Sequence, residues 1–140
     1  MDYDLERFKR AQEAAYDNAL REVRGGRKQS HWIWYIFPQL RGLGRSSMSD
    51  YYGISGLEEA KAYLADAVLG ARLIEISEAL LEQQERSAGR IFGYPDVMKV
   101  QSCMTLFQAA SDDPDTVFSH VLDVFYQGEK DRLTLEMLSE

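Results

Sequence analysis

Apolar positions recur at helical spacing over most of the chain, and the strict alternation of a half-buried strand is nearly absent. Leu5, Phe8, Ala15, Ala19 and Val23 mark an amphipathic first helix, with Asp2 or Asp4 able to cap its start and Gly25-Gly26 placed to end it. Ser55 with Glu58 has the spacing of a capping box and opens a helix through Leu64. Leu69, Leu73, Ile76 and Leu80 form one stripe of a helix over 67–83. Ser87 caps a short turn that stops near Phe92-Gly93. Pro95, followed by Asp96, starts a helix reaching Ala109 or Ala110, and Asp113-Pro114 repeats that signal for a helix through Tyr126, stopped by Gly128. Asp131 caps a last short helix to Leu138.

One stretch resists the pattern. SHWIWYIFPQL, from Ser30 to Leu40, fits a strand or a short buried helical turn, and Pro38 ends either. A loop over 42–47 and a helical turn over 48–52, closed by Gly53, follow it. The expected fold is all-α: a single domain over 1–140 with six or seven helices and one short aromatic segment of open type.

Composition narrows the functional classes. With 45% hydrophobic and 28% charged residues, the chain has ordinary globular usage rather than that of a disordered one. No apolar run approaches the ~20 residues of a membrane span. The opening Met1-Asp2-Tyr3-Asp4 lacks the basic-then-apolar profile of an export signal. The lone Cys103 cannot pair internally, which agrees with a reducing, cytoplasmic location. One cysteine and two histidines are too few for a structural zinc site, and nothing in the pattern calls for a metal or cofactor. A net charge of −7 disfavours nucleic acid as a partner. Between Arg21 and Arg45, however, six basic residues face one acid, Glu22, a local excess of five that leaves −12 on the remainder. A short basic stretch in an acidic protein suits a small anionic ligand better than a long polyanion.

That stretch also holds most of the candidate chemistry. His31 is a group that can exchange protons near neutral pH, and so a candidate acid or base. Trp32 and Trp34 offer faces for stacking a base or sugar ring, although the simplest reading of Trp32, Trp34, Ile36 and Phe37 is core. Gln39 can read a polar edge, and Gly42 and Gly44 permit close backbone approach. Arg27, Lys28, Arg41 and Arg45 can neutralise phosphate or carboxylate. A second constellation lies on the helix after Pro95, where Lys99, Ser102 and Cys103 share one side at i, i+3 and i+4. Lys99 and Ser102 are candidate ligand groups there, whereas Cys103 reads as a small buried hydrophobe.

DLERFKRAQE, GRKQSHWIWYIFPQLRGLGRS, YYGI, LEEAKAYL, VLGARL, IFGYPDVMKVQSCMTLF and VLDVFYQG together resemble the bacterial domain-of-unknown-function family 1810, whose members often carry the label calpastatin. The resemblance covers nearly the whole chain and implies a compact, mainly helical domain with no established activity. A calpastatin is a disordered inhibitor that folds on its target, which the capped, striped pattern here does not fit. Where family members commonly have a His-Pro pair this chain has Asp66-Ala67, and Asp66 can cap the following helix instead.

Two functions remain open. One is a site for a small anionic or nucleotide-like ligand in the Lys28–Arg45 segment, with hydrolysis or transfer as the associated reaction class. The other is a non-catalytic module that binds a protein partner through aromatic surface. They differ in what they require: the first a concave polar pocket, the second an exposed apolar patch.

Overall fold

The computed structural model describes residues 3–140 and is helical, with nine helices and no strand among them. They are α1 (Glu6–Arg24), α2 (Ile33–Ile36), α3 (Ser47–Tyr51), α4 (Leu57–Ala65), α5 (Leu69–Leu81), α6 (Ala88–Phe92), α7 (Asp96–Ala109), α8 (Val117–Tyr126) and α9 (Arg132–Leu138). The all-α expectation holds; the count rises because α2, α3 and α6 are single turns.

Two helices form the centre. α5 packs on α1, α4 and α8, and α7 packs on α4, α6, α8 and α9. α5 is amphipathic, and its stripe Leu69, Leu73, Ile76 and Leu80 is fully buried as the period requires. α7 is covered nearly all round: Ser102 through Phe107 are buried in an unbroken run, as expected of a helix enclosed by others. Cys103 lies within that run, and burial pushes its thiol pKa up, so it packs as a hydrophobe.

Several starts and stops differ from expectation, each for a local reason. α1 has Leu5 at its N-cap and no side-chain cap, so Asp4 does not serve there; Asp2 lies outside the described residues. Its end is as expected, with Gly26 in the left-handed region at φ 79°. The Ser55–Glu58 capping box does not form: Gly56 is the N-cap of α4, and the Ser55 amide donates to Glu59 Oε1 at 2.8 Å instead. α8 starts at a Thr116–Ser119 capping box rather than at Asp113-Pro114, and Gln127, itself left-handed, ends it one residue before Gly128. Ser87 and Asp131 cap α6 and α9 as expected. Asp66 Oδ1 accepts from the amides of Val68 and Leu69 at 3.0 Å each, which starts α5.

Candidate functional site

The aromatic segment is anchored at its entry by one buried carboxylate. Glu22, on the inner face of α1, accepts at Oε1 from the amides of Gln29 (2.7 Å) and Ser30 (2.9 Å) and from Trp32 Nε1 (2.9 Å). Its Oε2 accepts from Ser30 Oγ and Asn18 Nδ2, both at 2.7 Å. Burial alone would raise this carboxyl's pKa, but the hydrogen bonds from Ser30, Gln29 and Trp32, that of the Ser30 side chain foremost, outweigh it and hold the pKa at about 2. Thus fixed, the chain makes the single turn α2. Helical spacing sends Ile33, Ile36 and Phe37 into the core beside Trp32 and leaves Trp34 half-buried at the edge, facing α7.

Beyond Pro38 the backbone extends for one parallel bridge, Leu40 to Ile54. The Ile54 amide donates to the Gln39 carbonyl (2.9 Å) and the Arg41 amide to the Ile54 carbonyl (2.8 Å). The strand reading of the segment is therefore realised only as this bridge, and the helical turn as α2. Gly44 then passes so close that a Cβ there would sit 2.3 Å from Ser49 Oγ and 3.4 Å from Gln39 Nε2. Gly44→Ala should therefore force Ser49 aside, at a cost of about 1–3 kcal/mol. A thermal melt several degrees below the parent's would register it.

These turns bring Trp34 and Gln39 against α7. A small inner chamber of about 10 Å³ is walled by residues including Trp34, Phe37, Gln39, Ser49, Tyr52 and Lys99. An outer cleft of about 190 Å³ shares Gln39 and Lys99 with it and is completed by Leu43, Gly44, Tyr94, Pro95, Met98, Ser102, Asp131 and Leu133. The Lys99 ammonium lies 5.5 Å from the Trp34 ring centroid. The Trp34 indole N–H is buried and has no hydrogen-bond partner among the described residues. An orphaned buried donor is uncommon, because leaving it unpaired costs about 1–3 kcal/mol.

Charge at the cleft is uneven. Asp96 serves two ammonium groups, Lys28 at 2.9 Å and Lys99 at 3.9 Å. One carboxylate for two cations leaves this trio itself net positive, and the longer contact makes Lys99 the less closely paired of the two. Asp131 lines the outer cleft and brings a second negative charge to it; its Oδ2 accepts from the Thr134 amide and hydroxyl as the cap of α9.

The structure thus gathers four of the candidate residues, Trp34, Gln39, Lys99 and Ser102, and parts the others. Ser102 Oγ donates to the Met98 carbonyl at 3.1 Å. Trp32 is a core residue bound to Glu22, and Lys28 packs over its ring at 5.1 Å. His31 and Arg45 are exposed and line neither the chamber nor the cleft. Arg27 borders a shallow depression beside Arg21 and Gln29. Arg41 faces a larger open cleft of about 470 Å³, where it donates to the carbonyls of Asp50 and Gly53, both at 3.2 Å. That second cleft also holds Arg7, but its walls carry Asp4, Asp50 and Glu59, so acids outnumber bases, and the Arg7 guanidinium is committed to Glu59 and to three carbonyls. It suits an anion poorly despite its size.

Tyr94, Met98 and Leu133, which form the apolar rim, carry no mark in the sequence that separates them from core positions. Ser49 also carries no such mark, since only the close pass of Gly44 and the fold of α3 bring it to the chamber. No helix among the described residues is long and apolar enough to cross a membrane. No group of three or more His, Cys, Asp or Glu side chains among them is arranged to hold a metal ion.

The family model described as a protein of unknown function (DUF1810) matches residues 2–138. Among solved structures, the conserved hypothetical protein Rv1873 from Mycobacterium tuberculosis is 46% identical, with a TM-score of 0.95 over 99% of this chain and 98% of its own. No curated protein matches.

Proposed function

Because the chain belongs to DUF1810, a family of proteins of unknown function, its role has to be argued from its own side chains, and we propose that it binds a small anionic or nucleotide-like ligand in the cleft between the Trp34–Gly44 segment and α7. The observation that carries this reading is the convergence of Trp34, whose buried N–H has no partner among the described residues, and Lys99, whose carboxylate partner is shared with Lys28, both of them lining one chamber. Gln39 supplies an amide that donates and accepts, and the outer cleft supplies apolar surface for the ligand's body. This is recognition rather than turnover. His31 stands outside the cleft, and the one carboxylate in its lining is taken up in capping α9.

A thermal-shift screen against nucleotides, ADP-ribose, sugar phosphates and simple anions tests the proposal. A ligand at ~100 times its dissociation constant adds about 2.7 kcal/mol, several degrees in melting temperature for a domain of this size. The shift should vanish in Lys99→Met, which keeps the aliphatic stem and removes the charge. A shift that survives in that variant places the ligand elsewhere and defeats the proposal.

One observation favours a second reading, a module that docks a protein partner. Tyr94, Met98 and Leu133 on the cleft rim are 83%, 50% and 59% exposed, high for large apolar side chains. Absence of any ligand shift, together with a partner interaction lost in Tyr94→Ala, would select it.

A further inference from the structure

The end of α1 carries positive charge that the fold does not use. Arg21 and Arg24 share one side of its last turns, and Arg27 follows the Gly25-Gly26 stop. Arg86, from the turn between α5 and α6, lies across Gly26, where a Cβ would sit 2.5 Å from its Nε and 2.9 Å from its Cζ. All four arginines are exposed. Basic side chains at a helix C-terminus commonly bond its last carbonyls, but here those carbonyls are already taken. Those of Arg21, Glu22 and Val23 accept from the amides of Gly25 (2.9 Å), Arg27 (3.1 Å) and Gly26 (2.9 Å), and that of Arg24 from Gln83 Nε2 (2.9 Å). Among the described residues, the only hydrogen bond from the four guanidinium groups is that of Arg21 to Asn18 Oδ1. None of the four forms an ion pair there.

Arg21 and Arg27 line a shallow depression of about 210 Å³, whose other walls are Glu22, Gly25 and Gln29. At about 30 Å³ for each water, it has room for several oxygen atoms. Glu22 brings one negative charge to it, but its two oxygens already accept five hydrogen bonds. Four guanidinium groups against that one carboxylate favour an anion of more than one charge, and their forked donors match its oxygens in pairs. We infer that this surface is a second site, separate from the cleft at α7, and takes a phosphoryl or diphosphoryl group carried by a small molecule. The partner's size follows from what surrounds the arginines. Glu82 and Glu85 are exposed beside Arg86, and the whole chain has a net charge of −7, so an extended polyanion meets repulsion beyond the depression.

Pyrophosphate, acetate and an oligothymidylate, each titrated into ¹⁵N-labelled protein at low salt, test the assignment. Pyrophosphate should shift the amides of residues 25–29 in a saturable way, bind about tenfold or more tightly than acetate, and weaken as salt is raised. Arg21→Gln and Arg27→Gln should each weaken it about tenfold. Arg132→Gln, which removes an equal charge from α9, should leave binding unchanged. Lys99→Met should leave it unchanged too, so this site and the α7 cleft stand or fall separately. Each variant is first confirmed as folded by the dispersion of its amide spectrum. Shifts that never saturate, or an equal loss in Arg132→Gln and Arg27→Gln, would reduce the effect to general attraction of charge and overturn the assignment. Acetate that binds as tightly as pyrophosphate overturns the phosphoryl group. Binding lost in Lys99→Met and kept in Arg27→Gln puts the phosphate in the α7 cleft, and the second site falls. An oligothymidylate that binds through Arg21 and Arg27 more tightly than pyrophosphate overturns the small molecule.

Discussion

An Arg7→Met variant should lose about 3–5 kcal/mol of stability, the range for breaking one half of a buried ion pair, and melt about 10 °C or more below the parent. Arg7 and Glu59 are both almost wholly buried, with a 3.0 Å contact between Nη1 and Oε2. The guanidinium also donates to the carbonyls of Asp4, Tyr51 and Gly53, and so ties the start of α1 to the turn after α3. Without it, Glu59 keeps the Ser55 amide as a donor but loses its countercharge inside the protein. The Gly53 carbonyl would still accept from Arg41, so the loss falls mainly on the stranded carboxylate and on the Tyr51 carbonyl. If stranding is the cause, Arg7→Met combined with Glu59→Gln should be less damaging than the sum of the two single changes. Urea unfolding of the four proteins gives the coupling directly. Additive losses would show that the pair contributes only packing.

Glu22→Gln should cost about 2–4 kcal/mol and flatten the acid side of the stability curve. The two oxygens of Glu22 accept five hydrogen bonds, so an amide in that place must point its NH₂ group at donors on one side or the other. The sign with pH follows from the lowered pKa. The folded value of about 2 lies below the ordinary 4.5, so between these two the unfolded chain binds a proton that the folded one does not. The stabilisation is complete above about pH 4.5 and is lost as pH falls through about 2, a total on the order of 3 kcal/mol. Other carboxylates add their own acid slope, so the informative quantity is the difference between parent and variant measured from pH 7 to 2.5. That difference should narrow toward low pH. Parallel curves would mean that Glu22 is not the anchor of the aromatic segment.

How far these features were legible in the sequence depended on whether their causes are local. The α5 stripe and the caps at Ser87 and Asp131 are local, set by side-chain period and by a donor three residues on, and they stand as read. The Ser55–Glu58 capping box had the right spacing and did not form. The neighbouring Glu59 turns inward to Arg7, 52 positions earlier in the chain, and takes the Ser55 amide with it. Glu22 was visible only as the one acid in a basic stretch, yet it organises Gln29, Ser30 and Trp32, because folding gathers donors whose convergence no spacing rule encodes.

The candidate site divides in the same way. Trp34 and Gln39 were named from one segment, and Lys99 and Ser102 from helical spacing on another. What the sequence could not show was that Lys99 of α7 lies beside Trp34 of α2 while Arg41 turns toward a different cleft and His31 and Arg45 remain in solvent. The apparent basic cluster also loses its unity in three dimensions, since Lys28 is drawn off by Asp96 from α7.

The most direct test of the ligand site is a crystal structure of the protein soaked with the compound that stabilises it most in the thermal-shift screen. Density for the compound in the cleft, with an anionic oxygen within hydrogen-bond distance of Trp34 Nε1 or Lys99 Nζ, is the result this account predicts. Density in the wider cleft beside Arg7 and Arg41, with the space between Trp34 and Lys99 unchanged, would contradict it.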